Sequence, residues 1–331
     1  MYGYKKKEQK INKNKNSDVK KDIEQNVDNN DDKYFRILSI DGGGVRGIIP
    51  ITFLERLQNK FPKLISSVDM FAGTSVGSLI ILSLALGKTP KEISEFIESD
   101  YTNFFKDPSR AIIQPKYTNT NRIPTIIKFL PEVEKSISSI TKKIVVPAFE
   151  PASFTSVFFN NYANSSTLDA TVLDTMISSM SFPILWNSYK GNVDGGVVAN
   201  NPSLAALSLA LNKSMGNIDI SKVIVLSIGT GFNNWSINEK DWGALQWGYN
   251  FSNAAEPEFP LSTLISEAPV GATDLYNSSI LEKNYFRLDL NLDQERIRSD
   301  DINAIPKLKL KAEVQDLLDV EEFIASRWVK L

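Results

Sequence analysis

Gly73-Thr74-Ser75-Val76-Gly77 is the segment of this sequence best suited to chemistry. It lies between two apolar runs, Val68 to Ala72 and Ser78 to Leu86, so Ser75 falls on a sharp turn from a strand into a helix. Gly73 and Gly77 fit such an elbow because side chains there would clash as the backbone doubles back. The turn pushes the Ser75 hydroxyl into the cleft above a sheet, with the positive end of the following helix beneath it. A serine hydroxyl is a weak nucleophile until a base takes its proton. The chain has no histidine, which excludes a Ser-His-Asp triad and leaves a carboxylate, a lysine, a tyrosine or water as the base. Asp194 is the candidate carboxylate. It ends a short apolar run and precedes Gly195 and Gly196, so it can approach another turn closely; the competing reading is an ordinary turn aspartate before Gly-Gly.

A second glycine cluster, Gly42-Gly43-Gly44-Val45-Arg46-Gly47, follows the apolar run Phe35 to Ile40 and precedes the amphipathic stretch Ile48 to Leu57. Glycines ahead of a helix aim backbone amides at one point, which suits an oxyanion or a phosphate. Gly42, Gly44 and Gly47 also satisfy GxGxxG, which raises dinucleotide binding as an alternative. That reading asks for an acid at the end of the second strand, where this chain has Gly73-Thr74-Ser75, and a Walker loop fails because Leu82 stands where its first glycine belongs.

The elements that must hold these residues alternate between strand and helix. Phe35–Ile40, Val68–Ala72, Ile144–Phe149, Ser156–Phe159, Val223–Ile228 and Tyr285–Leu290 read as strands. Ile48–Leu57, Ser78–Leu86, Ile93–Phe105, Leu168–Met180 and Ala312–Trp328 read as helices, and Asn201 and Pro202 suit the start of another. Glycine turns at the strand ends imply an α/β domain with a largely parallel sheet. Residues 34–331 read as one domain, with a variable cap at about 91–143 and a less regular part at 232–331. Residues 1–33 read as a solvated, disordered charged tail. Through Lys21 it carries eight lysines against Glu8 and Asp18, which raises contact with an anionic membrane surface as the sharper reading.

Composition narrows the function classes. The 331 residues contain neither cysteine nor histidine, so disulfide frameworks, thiol chemistry and His- or Cys-ligated metal centres are excluded. A formal net charge of −2 gives no electrostatic case for nucleic acid. The longest strongly apolar stretch, Leu79 to Leu86, falls far short of the roughly 20 residues of a membrane helix, and no apolar run follows the first ten residues as a secretory signal would. A cytoplasmic or peripheral membrane location is expected.

DGGGVRG, GTSVG and DGG followed by VVANNP, in this order and on these elements, resemble the patatin-like phospholipase family. Ser227-Ile228-Gly229-Thr230-Gly231 looks like a further family feature, and the resemblance covers about residues 34–231. It implies a three-layer α/β/α fold and a Ser-Asp dyad, with Ser75 as nucleophile and Asp194 as base. It also implies an oxyanion hole in the loop of Gly42, Gly43, Gly44, Arg46 and Gly47, the amides of Gly43 and Gly44 foremost. Arg46 is expected either to pin the turn through an ion pair or to touch substrate. The implied activity is hydrolysis of phospholipid or lysophospholipid esters without metal or cofactor, with peripheral membrane contact. The alternatives are a nucleotide-binding protein built on the glycine loop and a catalytically silent lipid-binding relative. Phe104, Phe105, Ile112 and Ile113 of the cap either receive acyl chains or pack as core. Trp235, Trp242 and Trp247 either suit a membrane interface or pack on one another.

Overall fold

Seven apolar runs pair as one sheet: β1 (Phe35–Ile40), β2 (Met70–Gly73), β3 (Lys143–Glu150), β4 (Thr155–Asn160), β5 (Val193–Asp194), β6 (Val223–Ile228) and β7 (Tyr285–Leu288). The computed structural model describes residues 34–109, 111, 113–232, 237, 241–250, 257–292 and 297–328. The charged leader 1–33, Ile112 and Trp235 therefore lie outside the described residues. The strand order is β4-β3-β2-β1-β6-β7, parallel from β3 to β7, with β4 antiparallel at the edge. Every residue of β6 is buried, as expected of a parallel strand covered on both faces.

Helices cover both faces. In chain order these are α1 (Ile48–Lys60), α2 (Val76–Ala85), α3 (Pro90–Glu98), α4 (Asn119–Phe129), α5 (Val172–Ser179), α6 (Ser203–Leu211), α7 (Pro260–Leu281) and α8 (Ile305–Val314). One face of the sheet, carrying Ile37, Met70, Ala72, Val145, Val223 and Val225, packs on Ala206, Leu207 and Ala210 of α6 and Leu281 of α7. The pleat turns the alternate residues Leu38, Phe71, Ile144, Val146, Ile224 and Leu226 to the other face, and all are buried. Each such side chain contributes about 1.5–3 kcal/mol through burial. The result is a three-layer α/β/α domain.

The sheet register brings the candidate residues together. β5 pairs antiparallel with Ala148 and Phe149 of β3. β4 already pairs those two residues on one side, so β5 takes the other side, the lane β2 leaves when its chain turns at Gly73. Asp194 thus meets the carboxyl end of β2 head-on, where Ser75 stands.

Two helices depart from the sequence reading. α4 lies in the cap where periodicity is weak, and α7, 22 residues long, lies in the part read as less regular. Both contain an internal proline, Pro124 and Pro269, which signals a break but is tolerated where packing holds the turns around it. The helix expected over Ala312–Trp328 is instead broken: α8 ends at Val314, and Leu318–Phe323 and the π-turn Ile324–Trp328 follow. Ile93–Phe105 is divided as well, into α3 and the 3-10 turn Asp100–Phe105. No helix among the described residues is long and apolar enough to cross a membrane.

Candidate active site

Ser75 stands between β2 and α2 with φ 52° and ψ −123°, a conformation that costs a non-glycine residue about 1–3 kcal/mol and persists only where the surroundings enforce it. Those surroundings are visible. The Ser75 amide donates to Ser179 Oγ at 3.0 Å, Thr74 Oγ1 donates to Ala199 O at 2.7 Å, and the amides of Ser78 and Leu79 close the first turn of α2 on Ser75 O. A Cβ at Gly77 would overlap the Ile40 carbonyl, so only glycine lets α2 pass this close to β1.

Asp194 is 1% exposed. Its amide donates to Ser181 O at 3.0 Å, and the next amide, Gly195, donates to Ser179 O at 3.2 Å. The end of α5 therefore holds the backbones of both Ser75 and Asp194. Asp194 Oδ1 accepts from the Gly196 amide at 2.7 Å, whereas Oδ2 is buried without a hydrogen-bond partner among the described residues. Burial pushes the carboxyl up to about 7, against the opposing pull of the Gly196 amide, the Ser75 hydroxyl and Arg122. The hydroxyl is near enough to lower this pKa, although the pair falls outside hydrogen-bond geometry. Such contacts commonly tighten only once substrate is bound.

The glycine loop divides into occupied and open positions. The Gly42 amide donates to Asn200 O at 3.1 Å, and Gly42 O accepts from Thr230 Oγ1 at 2.7 Å. Gly47 lies against Val76 of α2. Gly44 has φ +59°, and a Cβ there would overlap the Ser299 carbonyl, so the turn requires glycine on both counts. The amides of Gly43 and Gly44 have no acceptor among the described residues. Arg46, 5% exposed, donates to Gly43 O and Gly231 O and pairs with Glu267 of α7 at 2.9 Å. These contacts pin the turn, and Arg46 also borders the cavity.

Ser75, Asp194 and Gly42 to Gly44 open on one cavity of about 630 Å³. Tyr101, Phe104, Phe105, Phe182, Leu185 and Trp186 line its apolar part, and Ser262, Thr263, Ser266 and Glu267 of α7 line another wall. Phe104 is both core and lining: it is buried against Phe96 and Tyr101 and still borders the cavity. Ile113 is 97% exposed and is not part of the lining. Trp242 and Trp247 pack edge to face with ring centres 5.3 Å apart.

Sequence reasoning missed the charges beneath the loop. Arg287 of β7 forms a two-pronged pair with Asp41 at 3.0 and 2.6 Å and reaches Asp289 at 2.6 Å. Asp289 Oδ1 in turn accepts from the Gly231 amide. Burial raises the Asp41 carboxyl to about 6 even with Arg287 opposing it. The signal was a lone arginine two residues from an aspartate in an apolar strand, which places both on one face. Removing the cation by Arg287→Met strands two carboxylates below the glycine loop, and a stability loss of about 3–5 kcal/mol is expected at pH 8. Guanidinium unfolding checks it; a loss under about 1 kcal/mol would show the cluster to be dispensable.

Residues 38–207 match a family model described as patatin-like phospholipase. That span holds the glycine loop, the elbow and Asp194. The chain belongs to the patatin-like phospholipase family. Among its relatives, the putative sporulation hydrolase CotR of Bacillus subtilis is 28% identical over 89% of this chain and 98% of that protein. Protein teg of Priestia megaterium is 28% identical over 89% of this chain and 99% of that protein. Patatin-like protein 3 of Arabidopsis thaliana is 28% identical over 85% of this chain and 80% of that protein. Patatin-like membership places the chain among lipid acyl hydrolases.

Proposed function

We propose that this patatin-like protein cleaves carboxylic esters of membrane phospholipids or lysophospholipids through a Ser75-Asp194 dyad. The observation that carries this reading is the meeting of a serine on a strained elbow with a buried carboxylate whose Oδ2 is uncommitted, in one cavity with two amides that lack acceptors. Ser75 Oγ attacks the ester carbonyl while its proton passes to Asp194. The carbonyl oxygen becomes an oxyanion facing the Gly43 and Gly44 amides; one such donor contributes about 2.7–4 kcal/mol. As the tetrahedral species collapses, the alcohol leaves with the proton returned by Asp194. Water then attacks the acyl-serine, gives its proton to Asp194, and the acid departs as Ser75 regains a proton. A carboxylate is a weaker base than histidine, so the oxyanion donors carry much of the barrier, and esters suit this site better than amides.

The charged state required of Asp194 sets the pH dependence. It acts as base only when ionised, and its carboxyl is raised to about 7, so kcat/KM is expected to rise with pH and level off above that value. A pH series on a soluble ester checks this. A limb near pH 4, where an ordinary aspartate titrates, would assign the base elsewhere.

We also propose peripheral contact with a lipid surface. α7 carries the exposed side chains Leu261, Leu264, Ile265, Leu275, Tyr276 and Ile280 on the same helix whose Ser262, Thr263 and Ser266 line the cavity. Digestion of a mixed-lipid vesicle, followed by mass spectrometry of wild type beside Ser75→Ala, tests substrate class. Fatty acid and the matching lysophospholipid or glycerophosphodiester are expected from wild type alone; equal products from both proteins would sink the reading. The family match favours this hydrolase over nucleotide binding at the glycine loop.

A further inference from the structure

Arg122 of α4 is wholly buried, and no carboxylate lies within ion-pair distance of it among the described residues. Arg46 and Arg287, the other arginines near the cavity that are mostly buried, touch carboxylates directly. A buried cation is ordinarily paired, because removing it from water costs several kcal/mol. Arg122 instead donates from Nε and Nη2 to Asn119 Oδ1, from Nη1 to Met180 O at 2.7 Å and from Nη2 to Ser181 Oγ at 3.3 Å. Its guanidinium carbon lies 4.0 Å from the centre of the Trp186 ring, so the fork is fixed on one face as well as at its donors.

The bonded atoms matter more than their number. Met180 and Ser181 directly follow α5, the helix whose Ser179 Oγ holds the Ser75 amide and whose next carbonyls hold Gly195 and Asp194. Arg122 is thus one hydrogen-bonded residue, Ser181, away from Asp194, and its other partner Met180 adjoins Ser179, which holds the Ser75 amide. The ionisable groups that bear on it are Tyr101, Asp194 and Tyr189, and those that bear on Asp194 are Arg122 and Tyr101, beside the Ser75 hydroxyl and the Gly196 amide. The remaining charges lining the cavity satisfy one another: Arg46 with Glu267, and Arg298 with Glu258 and Asp300. Burial draws the guanidinium pKa down to about 9, which leaves it charged at neutral pH.

We propose that Arg122 is a positioning residue for this hydrolytic site: it clamps the Met180–Ser181 turn and supplies a buried positive charge that favours the ionised form of Asp194. The proposal rests on the Ser75-Asp194 reading. A purely structural arginine would support the turn without affecting the ionisation of Asp194, and the two roles separate in a pH profile.

The test follows kcat/KM on a soluble ester and the rate of fluorophosphonate inactivation against pH for the full chain. Wild type, Arg122→Met, Arg122→Lys and Asn119→Asp are compared. Loss of the charge in Arg122→Met is expected to move the acid limb upward by about one pH unit, roughly a tenfold lower rate below the limb. Arg122→Lys keeps the charge, so the limb stays near its wild-type position while the plateau falls through loss of the fork. Asn119→Asp places a carboxylate at the present acceptor, neutralises the cation in place and is expected to raise the limb in a folded protein. If Arg122→Met fails to fold, Asn119→Asp decides alone. A limb at the wild-type pH in Asn119→Asp, or in a folded Arg122→Met, overturns the proposal. Failure of the dyad reading looks different, because wild type itself would then resist the fluorophosphonate at every pH.

Discussion

Ser75→Ala is expected to lower kcat/KM on an ester by about 10⁴- to 10⁶-fold, because the covalent route vanishes and only binding and the oxyanion donors remain. The fold should hardly register the change. Alanine keeps the Cβ that already occupies the strained φ of 52° and the backbone amide bond to Ser179 Oγ. The stability difference is therefore expected to stay within about 0.5 kcal/mol. Steady-state kinetics beside a thermal melt checks both halves. Residual activity within tenfold of wild type would show that another nucleophile does the work.

Asp194→Asn is expected to reduce activity by about 10³- to 10⁴-fold, since an amide of the same shape cannot accept the Ser75 proton. It is also expected to stabilise the protein at alkaline pH. The folded carboxyl titrates at about 7 against an ordinary value of 3.8. Between those values the folded protein holds a proton that the unfolded chain has released, so stability falls as pH rises through that window. The gap amounts to a few kcal/mol. Asparagine carries no such penalty, so variant and wild type should be about equally stable near pH 4 and should diverge by pH 8 in favour of the variant. Asp41, also raised by burial, is common to both proteins and cancels in the comparison. Denaturant titrations at the two pH values decide; a variant less stable than wild type at pH 8 would mean that the carboxylate is held by contacts stronger than its desolvation.

The parts of this site that lie on short, glycine-marked turns were legible in the sequence. GTSVG between two apolar runs marks the elbow, and the absence of histidine leaves Asp194 as the candidate carboxylate base. The parts set by tertiary packing were not. Asn200 closes the glycine loop mainly through its backbone carbonyl, an atom every residue possesses, with its side-chain amide reaching Gly42 O only at 3.5 Å, so residue type marks it weakly. Ser179 looks like any serine in a serine-rich helix end until the Ser75 amide is found against its hydroxyl. Arg122 sits in a stretch whose periodicity is blurred by Pro124, and its burial depends on Trp186, more than sixty residues onward. α7 escaped notice because its proline and exposed apolar stripe obscure the usual pattern of a helix buried on one face. Backbone geometry was thus easier to read than the charges around it, since glycine positions are constrained locally whereas buried ion pairs are assembled from distant strands.

Labelling of the intact protein with a fluorophosphonate, followed by peptide mapping, bears most directly on whether Ser75 is the activated serine of this fold. A single adduct on the peptide containing Ser75 is expected, formed in wild type, slowed in Asp194→Asn and absent from Ser75→Ala. Wild-type protein that is folded yet remains unlabelled, or that carries its adduct on another residue, would contradict the Ser75-Asp194 site.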